Sequence, residues 1–362
     1  MSKIKILLTS EYYYPSLGGV QNHIKLIADY LLKKKFEVEI ATSYDPNRKN
    51  KYIDGIRINE FEISGNLVRG YLGDIRKYQD FLLQNKFDII FFYAAQQWSF
   101  DLSLPIINRI KAKKIFTPCG FSRLNHIYYY LYFILLKKKI NTFDKIICFS
   151  KNYKDYKYIS KIYKKSIKII PNAGIKCKII INQKSKNNKV LKILNVAKMS
   201  FMKNQLYLLL AIFFSKRIIK VNFVFNNKGA YFKLIFFTSE LLTKLTNKRI
   251  IVNFHYNLSQ KEISKFYITN DLFLFTSLVE CSPLVIYDAA INSLPFISSR
   301  VGNVGEVAEK SRIGIIYNSF FQLVKLINNF KKKERRSQKY NFGWEAQLKK
   351  YKKEFLSTFQ NN

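Results

Sequence analysis

Short runs of β-branched and aromatic residues alternate with longer helix-like segments along the chain, and this alternation limits the fold more than any other feature. Several runs are continuously apolar, as expected for parallel strands that are buried on both faces. A repeated strand-helix order is typical of βαβ units, because parallel neighbours need a crossover connection. The sequence therefore predicts an α/β fold, with strands at residues 4–8, 38–42, 88–92, 114–117, 146–149, 167–170, 192–196, 222–225, 251–254, 272–275, 296–298 and 314–317.

The alternation is interrupted once, near the middle of the chain. A polar, lysine-rich segment follows the run Pro171, Asn172, Ala173 and Gly174, and the strand-helix order restarts after residue 189. A chain of 362 residues suits two domains of about 150 to 200 residues each. We therefore expect two Rossmann-like domains with parallel sheets, at residues 1–172 and 173–340, followed by a terminal segment at residues 341–362.

The formal net charge is +38, from 62 Lys and Arg against 24 Asp and Glu. A distributed positive potential attracts polyanions whatever the fold, so nucleic acid and an anionic membrane surface both fit this charge. A genome rich in A and T favours Lys, Ile, Asn, Phe and Tyr together, and this bias explains part of the charge without a binding role. Composition leaves these alternatives open.

The four cysteines (Cys119, Cys148, Cys177 and Cys281) are scattered, with no closely spaced pair. This spacing argues against a zinc site and against a disulfide framework, so we expect a reducing compartment. The N-terminal residues lack the apolar stretch of a signal peptide, and the longest apolar run, at residues 127–136, is about half the roughly 20 residues of a spanning helix. The sequence predicts a cytoplasmic protein that does not cross the membrane.

Gly18 and Gly19 lie between the first strand and an amphipathic helix, where backbone N–H groups at a helix N-terminus would point at a phosphate or a sugar hydroxyl. A tight turn that needs glycine for its φ angle explains the pair equally well. Lys198 and Lys203 flank a later strand-to-helix turn, at which both ammonium groups would converge on a diphosphate. In a chain this rich in lysine, they are also explained as surface charges.

Two acids eight residues apart, Glu280 and Asp288, flank a predicted helix start at Ser282, Pro283 and Leu284. The first turn of a helix has free backbone N–H groups that attract an anion. Pro is favoured in this turn because an N–H at that position would have no partner within the helix, so its absence costs nothing. Glu280 would lie at the carboxyl end of a strand, where α/β sheets bind ligands. One acid would then hold sugar hydroxyls and the other a ribose, although a solvated helix face fits the spacing too.

The order of these segments resembles glycosyltransferase family 4, a family of retaining enzymes with the two-domain GT-B architecture. Glu11, Pro15 and Gly18-Gly19-Val20 look like its N-terminal loop, and residues 170–175 look like the strand end at its linker. Residues 196–203 look like its donor-phosphate motif, and residues 280–288 look like its paired-acid motif. Leu294-Pro295 and residues 302–306 match the following loop, and the tail with Trp344 and Tyr351 resembles a terminal helix that crosses back to the N-terminal domain.

The resemblance implies a retaining, metal-independent hexosyltransferase with two sheets facing across a cleft. Residues 1–172 would bind the acceptor, and residues 173–340 would bind a nucleotide diphosphate-sugar. It implies that Glu280 is catalytic and contacts the transferred sugar. The implied donor-binding set is Lys198, Lys203, Ser282, Pro283, Leu284 and Asp288, and the implied acceptor side of the cleft contains Gly18, Gly19, Cys119 and Gly120. Relatives commonly carry histidine where Cys119 stands. No Asp-x-Asp pair occurs in the chain, so we expect neither a metal nor a cofactor.

The resemblance further implies a role in bacterial surface polysaccharide synthesis, such as O-antigen, lipopolysaccharide or capsule, with a glycan or lipid-linked acceptor. The aromatic and aliphatic run at residues 127–136 ends in three lysines, as in helices that lie on anionic lipid. We therefore expect peripheral binding to the inner face of the plasma membrane rather than nucleic-acid binding, although a buried core helix with a charged exit also fits the run. The alternative from another class is a non-catalytic basic protein of the same fold that binds anionic lipid or nucleic acid. A nucleotide-sugar epimerase is disfavoured by the scarcity of histidine.

Overall fold

The computed structural model describes residues 3–121, 123–177, 189–332 and 341–360. The chain forms two compact units. The first unit contains Met1–Pro171 and Glu345–Asn362, and the second contains Asn172–Trp344. Each unit is built around its own parallel sheet, so each is described by itself.

The first unit has an eight-stranded sheet and a separate two-stranded antiparallel hairpin. Its strands are β1 (Lys5–Thr9), β2 (Glu37–Ser43), β3 (Tyr52–Ile53), β4 (Ile56–Phe61), β5 (Ile63–Asn66), β6 (Gly70–Gly73), β7 (Ile89–Tyr93), β8 (Lys113–Thr117), β9 (Lys145–Cys148) and β10 (Ile167–Ile169). The large sheet has the order β10-β9-β8-β7-β1-β2-β4-β3, and β5 pairs with β6 in the hairpin. Every described pairing in the large sheet is parallel except that of β3 with β4.

The helices of the first unit alternate with its strands along the chain. They are α1 (Gly19–Lys33), α2 (Ile75–Gln84), α3 (Trp98–Asp101), α4 (Tyr130–Lys139) and α5 (Lys154–Ile159), with short 3₁₀ helices at Leu104–Ile106, Ile127–Tyr129 and Ile140–Thr142. Helix α1 buries Ile24, Ile27, Ala28 and Leu31, whose three- and four-residue spacing places them on one face. The predicted amphipathic helix is therefore confirmed.

The second unit has a six-stranded sheet in which every pairing is parallel. Its strands are β11 (Val190–Val196), β12 (Ile218–Phe225), β13 (Ile250–Tyr256), β14 (Leu272–Phe275), β15 (Phe296–Ser299) and β16 (Gly314–Tyr317), in the order β13-β12-β11-β14-β15-β16. Its helices are α6 (Gln205–Phe213), α7 (Ala230–Leu245), α8 (Gln260–Thr269), α9 (Leu284–Ile291), α10 (Val304–Ser311) and α11 (Phe320–Asn328), with a 3₁₀ helix at Phe201–Lys203.

The last described helix is α12 (Trp344–Gln360), most of which belongs to the first unit. Its Tyr351 and Phe355 rings pack edge-on against Phe91 of β7, and its Glu354 forms an ion pair with Lys145 of β9 at 2.9 Å. The terminal helix is thus fixed to the sheet of the first unit by aromatic packing and by one partly buried charge pair.

All twelve predicted strands are present, within a few residues of their expected bounds. These strands could be predicted from the sequence because their side chains are buried on both faces of a sheet, as in β7, where all five residues are buried. The α/β class and the two Rossmann-like domains with parallel sheets are confirmed. No helix in the part of the chain that the structure describes is both long and apolar enough to span a membrane.

Candidate functional site

The sheet of the second unit reverses its strand order between β11 and β14. The chain proceeds from β11 to β12 and β13 on one side, and β14 starts the series on the other side. In an open parallel sheet the crevice at such a reversal, outside the carboxyl ends of the two strands, is where ligands bind. The loops that end there are residues 197–204 after β11 and residues 276–283 after β14, and they contain Lys198, Lys203 and Glu280.

The structure brings Lys203 and Glu280 together in an ion pair between the Lys203 ammonium and Glu280 Oε1. Both side chains are mostly buried. Backbone contacts fix the two loops to each other, because the Leu278 N–H donates to the Met202 carbonyl at 2.9 Å. The hydroxyl of Thr276, which is fully buried, lies 3.2 Å from the carbonyl oxygen of Lys203 and 2.9 Å from that of Asn204. The pair is therefore held by the scaffold and not by two mobile surface chains.

Lys198 lies on the same loop, and its side chain is exposed. The described residues give its ammonium neither an ion-pair nor a hydrogen-bond partner, so this cation remains available to an anionic ligand. Its backbone is held by Gln205 Nε2, which donates to the Lys198 carbonyl at 2.9 Å. Asn227 fixes the next residue from both sides, since it accepts from the Met199 N–H at 2.7 Å and donates to the Met199 carbonyl at 2.9 Å.

The backbone at Glu280 rests on the loop at residues 302–303. A Cβ added to Gly302, whose φ is +51°, would lie 2.2 Å from the Cys281 carbonyl oxygen and 3.0 Å from that of Glu280. The Asn303 N–H donates to the Cys281 carbonyl at 3.0 Å. Gly302 is therefore required for this close approach, which places Glu280 at the crevice.

Ser282 is buried, and its polar atoms are engaged within the unit. Its carbonyl accepts from Asn172 Nδ2 at 2.7 Å, and its hydroxyl accepts from Asn303 Nδ2 at 3.0 Å. Asn303 also donates to the Tyr287 hydroxyl at 2.7 Å. The side chain of Ser282 thus stabilises the turn, and only its backbone N–H is suited to the predicted phosphate contact.

The expected first helical turn at Ser282, Pro283 and Leu284 is wrong by two residues. Helix α9 begins at Leu284, and Pro283 is its N-cap with an extended backbone, φ −70° and ψ 118°. The Ile286 N–H donates to the Pro283 carbonyl at 3.1 Å. Since the first N–H groups of a helix lack intrahelical partners, those of Leu284 and Val285 are the donors that α9 presents beside Glu280.

Asp288 is buried on α9, and its Oδ1 accepts a hydrogen bond from the Ile175 N–H at 2.7 Å. Asn292 continues this attachment, because it accepts from the Cys177 N–H at 2.8 Å and donates to the Ile175 carbonyl at 2.9 Å. Burial raises the pKa of Asp288 to about 7. The contact that the structure shows for this carboxyl is therefore with the start of the second unit, and its ribose contact stays a prediction.

The sheet of the first unit reverses its order between β1 and β7. A cavity of about 310 Å³ opens at the carboxyl ends of β1, β7 and β8. Its lining comprises Glu11, Val20, Ala94, Ala95, Gln96, Gln97, Pro118, Cys119, Gly120 and Tyr129. Two of the predicted acceptor-side residues, Cys119 and Gly120, thus line a cavity at the position where this sheet type binds ligands.

The turn at Cys119 and Gly120 has left-handed backbone angles, with φ of +58° and +92°. Ala94 and Gln96, which also line the cavity, have positive φ too, of +68° and +61°. Asp155 holds the turn, because its Oδ2 accepts from the Gly120 N–H at 2.9 Å, and burial raises the pKa of this carboxyl to about 6. Non-glycine residues with positive φ concentrate at functional sites, where the surrounding structure fixes them.

Gly18 and Gly19 begin helix α1, whose first turn contributes Val20 to the cavity lining. Gly18 is the N-cap and is fully extended, with φ 177°, so a positive φ does not explain this glycine. A Cβ there would lie 2.5 Å from Gln21 Oε1, which is the end of a flexible side chain. The reading of the pair as a turn that needs glycine for φ is therefore wrong for Gly18.

Sequence reasoning gave Glu11 no role beyond its place in a motif. Glu11 lines the cavity, and burial raises the pKa of its carboxyl. The Glu11 carbonyl accepts from the Ser43 N–H at 3.0 Å, so the residue is positioned by the neighbouring strand. Its place directly after β1, at the reversal of strand order, is the signal that finds it. His23 of α1 is fully buried, with Nδ1 2.5 Å from the Tyr93 hydroxyl.

A second feature of the first unit is an exposed apolar patch at the start of α4. The exposed fractions of its members lie between 63% and 76%, and the members are Ile127, Tyr128, Tyr130 and Leu131. Their neighbour Tyr129 lines the cavity. The following turns carry Lys137, Lys138 and Lys139, and residues 122–143 contain no acid. The alternative, a buried core helix with a charged exit, describes only one face of this segment, on which Tyr132, Phe133 and Leu136 are buried.

Two family models match successive parts of the chain. Residues 17–173 match the sequence model described as Glycosyltransferase Family 4, and residues 176–343 match that of Glycosyl transferases group 1. No curated protein sequence matches the chain.

Solved structures share the fold along nearly the full length. Sucrose-phosphate synthase from Thermosynechococcus elongatus is 15% identical with a TM-score of 0.77, over 99% of this chain and 100% of that one. The Anabaena protein HepE, in complex with UDP and glucose, is 15% identical with a TM-score of 0.73, over 98% and 100%. The lipopolysaccharide outer core galactosyltransferase WaaB is 15% identical with a TM-score of 0.70, over 98% and 99%. Because the two sequence models together span most of the chain, and the solved structures have the GT-B fold, the chain belongs to glycosyltransferase family 4.

Proposed function

We propose that this glycosyltransferase is a retaining, metal-independent hexosyltransferase that moves a sugar from a nucleotide diphosphate-sugar to a glycan or lipid-linked acceptor. We further propose that it acts in bacterial surface polysaccharide synthesis. The observation that carries the proposal is the ion pair of Lys203 with Glu280 at the reversal of strand order in the second unit. A cation, a carboxylate and the N-terminus of α9 are together there, which are the groups that a sugar diphosphate requires.

In this proposal the diphosphate is held by two cations and by backbone donors. The Lys203 ammonium has three N–H donors, so it can contact Glu280 and a phosphate oxygen at once. Lys198 supplies an exposed ammonium on the same loop, and the N–H groups of Leu284 and Val285 meet the anion at the positive end of the helix dipole. The structural neighbours that hold UDP or UDP-glucose make UDP the first nucleotide to test.

Charge stabilisation is the main catalytic contribution in this scheme. As the bond between the sugar C1 and the diphosphate breaks, negative charge grows on the departing phosphate, and fixed cations and N–H groups stabilise it. The acceptor oxygen forms its bond to C1 from the same face, and the hydroxyl proton passes to the departing phosphate. Glu280 accepts hydrogen bonds from hydroxyls of the transferred sugar and so fixes its orientation.

The acceptor is proposed to bind in the cavity of the first unit. Glu11 offers carboxylate oxygens to acceptor hydroxyls, and Gln96 and Gln97 add amide groups to the same lining. A glycan presents many hydroxyls, which suits a cavity with several polar groups. The apolar patch at residues 127–131 adjoins this cavity through Tyr129, and this neighbourhood favours an acceptor that carries a lipid.

We propose that the protein is cytoplasmic and peripheral on the inner face of the plasma membrane. Exposed Ile127, Tyr128 and Leu131 would enter the headgroup region, and Lys137 to Lys139 would contact anionic lipid. The patch combines apolar and cationic groups without an acid, and this combination favours a membrane over nucleic acid.

The test is a transfer assay with labelled UDP-sugars and a bacterial membrane lipid extract as the acceptor source. The wild-type protein should transfer label to the extract, and Glu280→Ala should reduce transfer at least about 100-fold because a transition-state contact is lost. Glu309→Ala, which removes an exposed acid of the same unit, is the matched control and should transfer normally. Nuclear magnetic resonance of the product should show the anomeric configuration of the donor.

Normal transfer by Glu280→Ala would show that Glu280 is not a catalytic residue. Inverted configuration in the product would contradict retention. If no nucleotide-sugar supports transfer while the protein binds anionic vesicles, the non-catalytic basic protein would be the better account.

A further inference from the structure

The second unit carries an exposed apolar stripe on helix α7. Its inward face buries Tyr231, Ile235, Ser239 and Leu242. Its outward face exposes four large apolar side chains: Leu234 at 42%, Phe237 at 65%, Leu241 at 56% and Leu245 at 62%. Their spacing of three, four and four residues places them in one row about 16 Å long. We name this row the α7 stripe.

The composition of the stripe is unusual for the exposed side of a surface helix. The outward face of such a helix normally carries charged and polar residues, and single exposed apolar residues need no explanation. Four in one row expose on the order of 400 Å² of apolar surface, which is a size that marks an interaction surface. Residues that only had to tolerate water would not produce this continuous row of exposed apolar side chains.

The surroundings of the stripe are strongly basic. Between residues 226 and 261 the chain contains six cations and one acid, Glu240. Lys233, Lys244 and Lys248 are exposed along the helix and just beyond its end. Arg249 has a structural role, since its guanidinium donates to the carbonyls of Ser215, Arg217 and Phe213. The three exposed lysines therefore give the stripe a positive border.

The stripe could bind a second copy of the chain or a lipid bilayer, and its charge and its exposed apolar area distinguish these two partners. A second copy of the chain would bring the same lysines together, and the exposed apolar area is about half of the roughly 800 Å² per partner of a standard interface. An anionic bilayer takes the apolar residues into its headgroup boundary while the lysine stems extend to the lipid phosphates. The membrane satisfies both features, whereas the second copy satisfies neither.

We propose that the α7 stripe is a membrane-binding surface of the second unit that inserts Phe237 and Leu241 into an anionic bilayer. This surface is separate in sequence from the patch at residues 127–131. The donor-binding unit would therefore have a lipid contact of its own. The proposal goes beyond the proposed function, because it requires neither transfer nor a particular nucleotide.

The test is flotation of the full-length protein with vesicles of phosphatidylcholine, alone and mixed with phosphatidylglycerol. The variant is Phe237→Ser with Leu241→Ser. The matched control is Phe321→Ser, which removes an 84% exposed aromatic residue of α11 in the same unit. Both are also made in an Ile127→Ser, Leu131→Ser background, so that binding through the other patch does not hide the effect. Thermal unfolding and UDP binding are measured on each protein to separate lost membrane contact from lost folding or a failed donor site.

The proposal predicts that the double variant binds mixed vesicles about tenfold or more weakly in both backgrounds, because two inserted side chains are lost. Phe321→Ser should bind like its parent, and Lys233→Gln with Lys244→Gln should lose binding only to vesicles with phosphatidylglycerol. Unchanged binding of the double variant in both backgrounds would overturn the proposal. A wild-type dimer that this variant converts to a monomer would also overturn it, since the occupant would be a second copy.

Discussion

The buried carboxyl of Asp288 provides a prediction about the pH dependence of stability. Its pKa in the folded protein is raised to about 7 from an ordinary value of 3.8. The folded state therefore binds this proton more tightly than the unfolded state. The resulting stabilisation is fully present below pH 4 and is lost as the pH rises through 7. A difference of about three pKa units corresponds to up to about 4 kcal/mol in the free energy of unfolding.

Asp288→Asn keeps the shape and a carbonyl oxygen that can accept from the Ile175 N–H, but it cannot ionise. The stability of the variant relative to the wild type should therefore rise with pH, by up to about 4 kcal/mol between pH 4 and pH 8. For a unit of this size the change is roughly 10 °C in melting temperature. Differential scanning calorimetry of both proteins across this range measures it.

The matched control is Glu309→Gln, which removes an exposed carboxyl from the same unit. Its melting temperature relative to the wild type should stay nearly constant across the range. Parallel melting curves for Asp288→Asn and the wild type at every pH would mean that the buried carboxyl is not a proton-binding group of the folded state, and that its pKa is not raised.

Three further predictions concern the two candidate sites. Gly302→Ala places a Cβ 2.2 Å from the Cys281 carbonyl oxygen at a φ of +51°, so it should lower stability by about 1–3 kcal/mol and reduce transfer, as measured by thermal unfolding and the transfer assay. Glu11→Gln should raise the KM for the acceptor while the Kd for the nucleotide stays unchanged, and an altered nucleotide Kd would count against the acceptor assignment. Transfer should persist at its full rate in excess EDTA, whereas loss of activity that Mg²⁺ or Mn²⁺ restores would show a metal requirement.

The sequence predicted every parallel strand except β4, because burial on both faces leaves a continuous apolar run. It missed β4, which pairs in parallel with β2 and antiparallel with β3, and it missed the hairpin of β5 and β6. Their residues include exposed positions such as Tyr52 and Leu72 and glycines at 65, 70 and 73, so no apolar run marks them. Short strands of this kind are fixed by contacts within the folded unit and not by local pattern.

Residues of the donor loops could be selected from sequence because the loop after a strand is where parallel sheets bind ligands. The residues that hold these loops, and those that hold the acceptor-side turn, could not be selected in this way. The contacts of Asn227 with Met199 and of Asp155 with Gly120 join residues 28 and 35 positions apart, and no spacing rule reveals them. The burial of His23 could have been predicted, because His23 precedes Ile27 by four residues and therefore lies on the buried face of α1.

Calorimetric titration with UDP, GDP, ADP and their sugar conjugates measures directly whether the second unit binds a nucleotide diphosphate-sugar through Lys203. One nucleotide should bind the wild type, and Lys203→Ala should weaken it about 10- to 100-fold, as expected for loss of a charged hydrogen bond. Lys216→Ala, at an exposed lysine of the same unit, should bind like the wild type. Binding of no nucleotide, or equal affinity in Lys203→Ala and the wild type, would contradict the account.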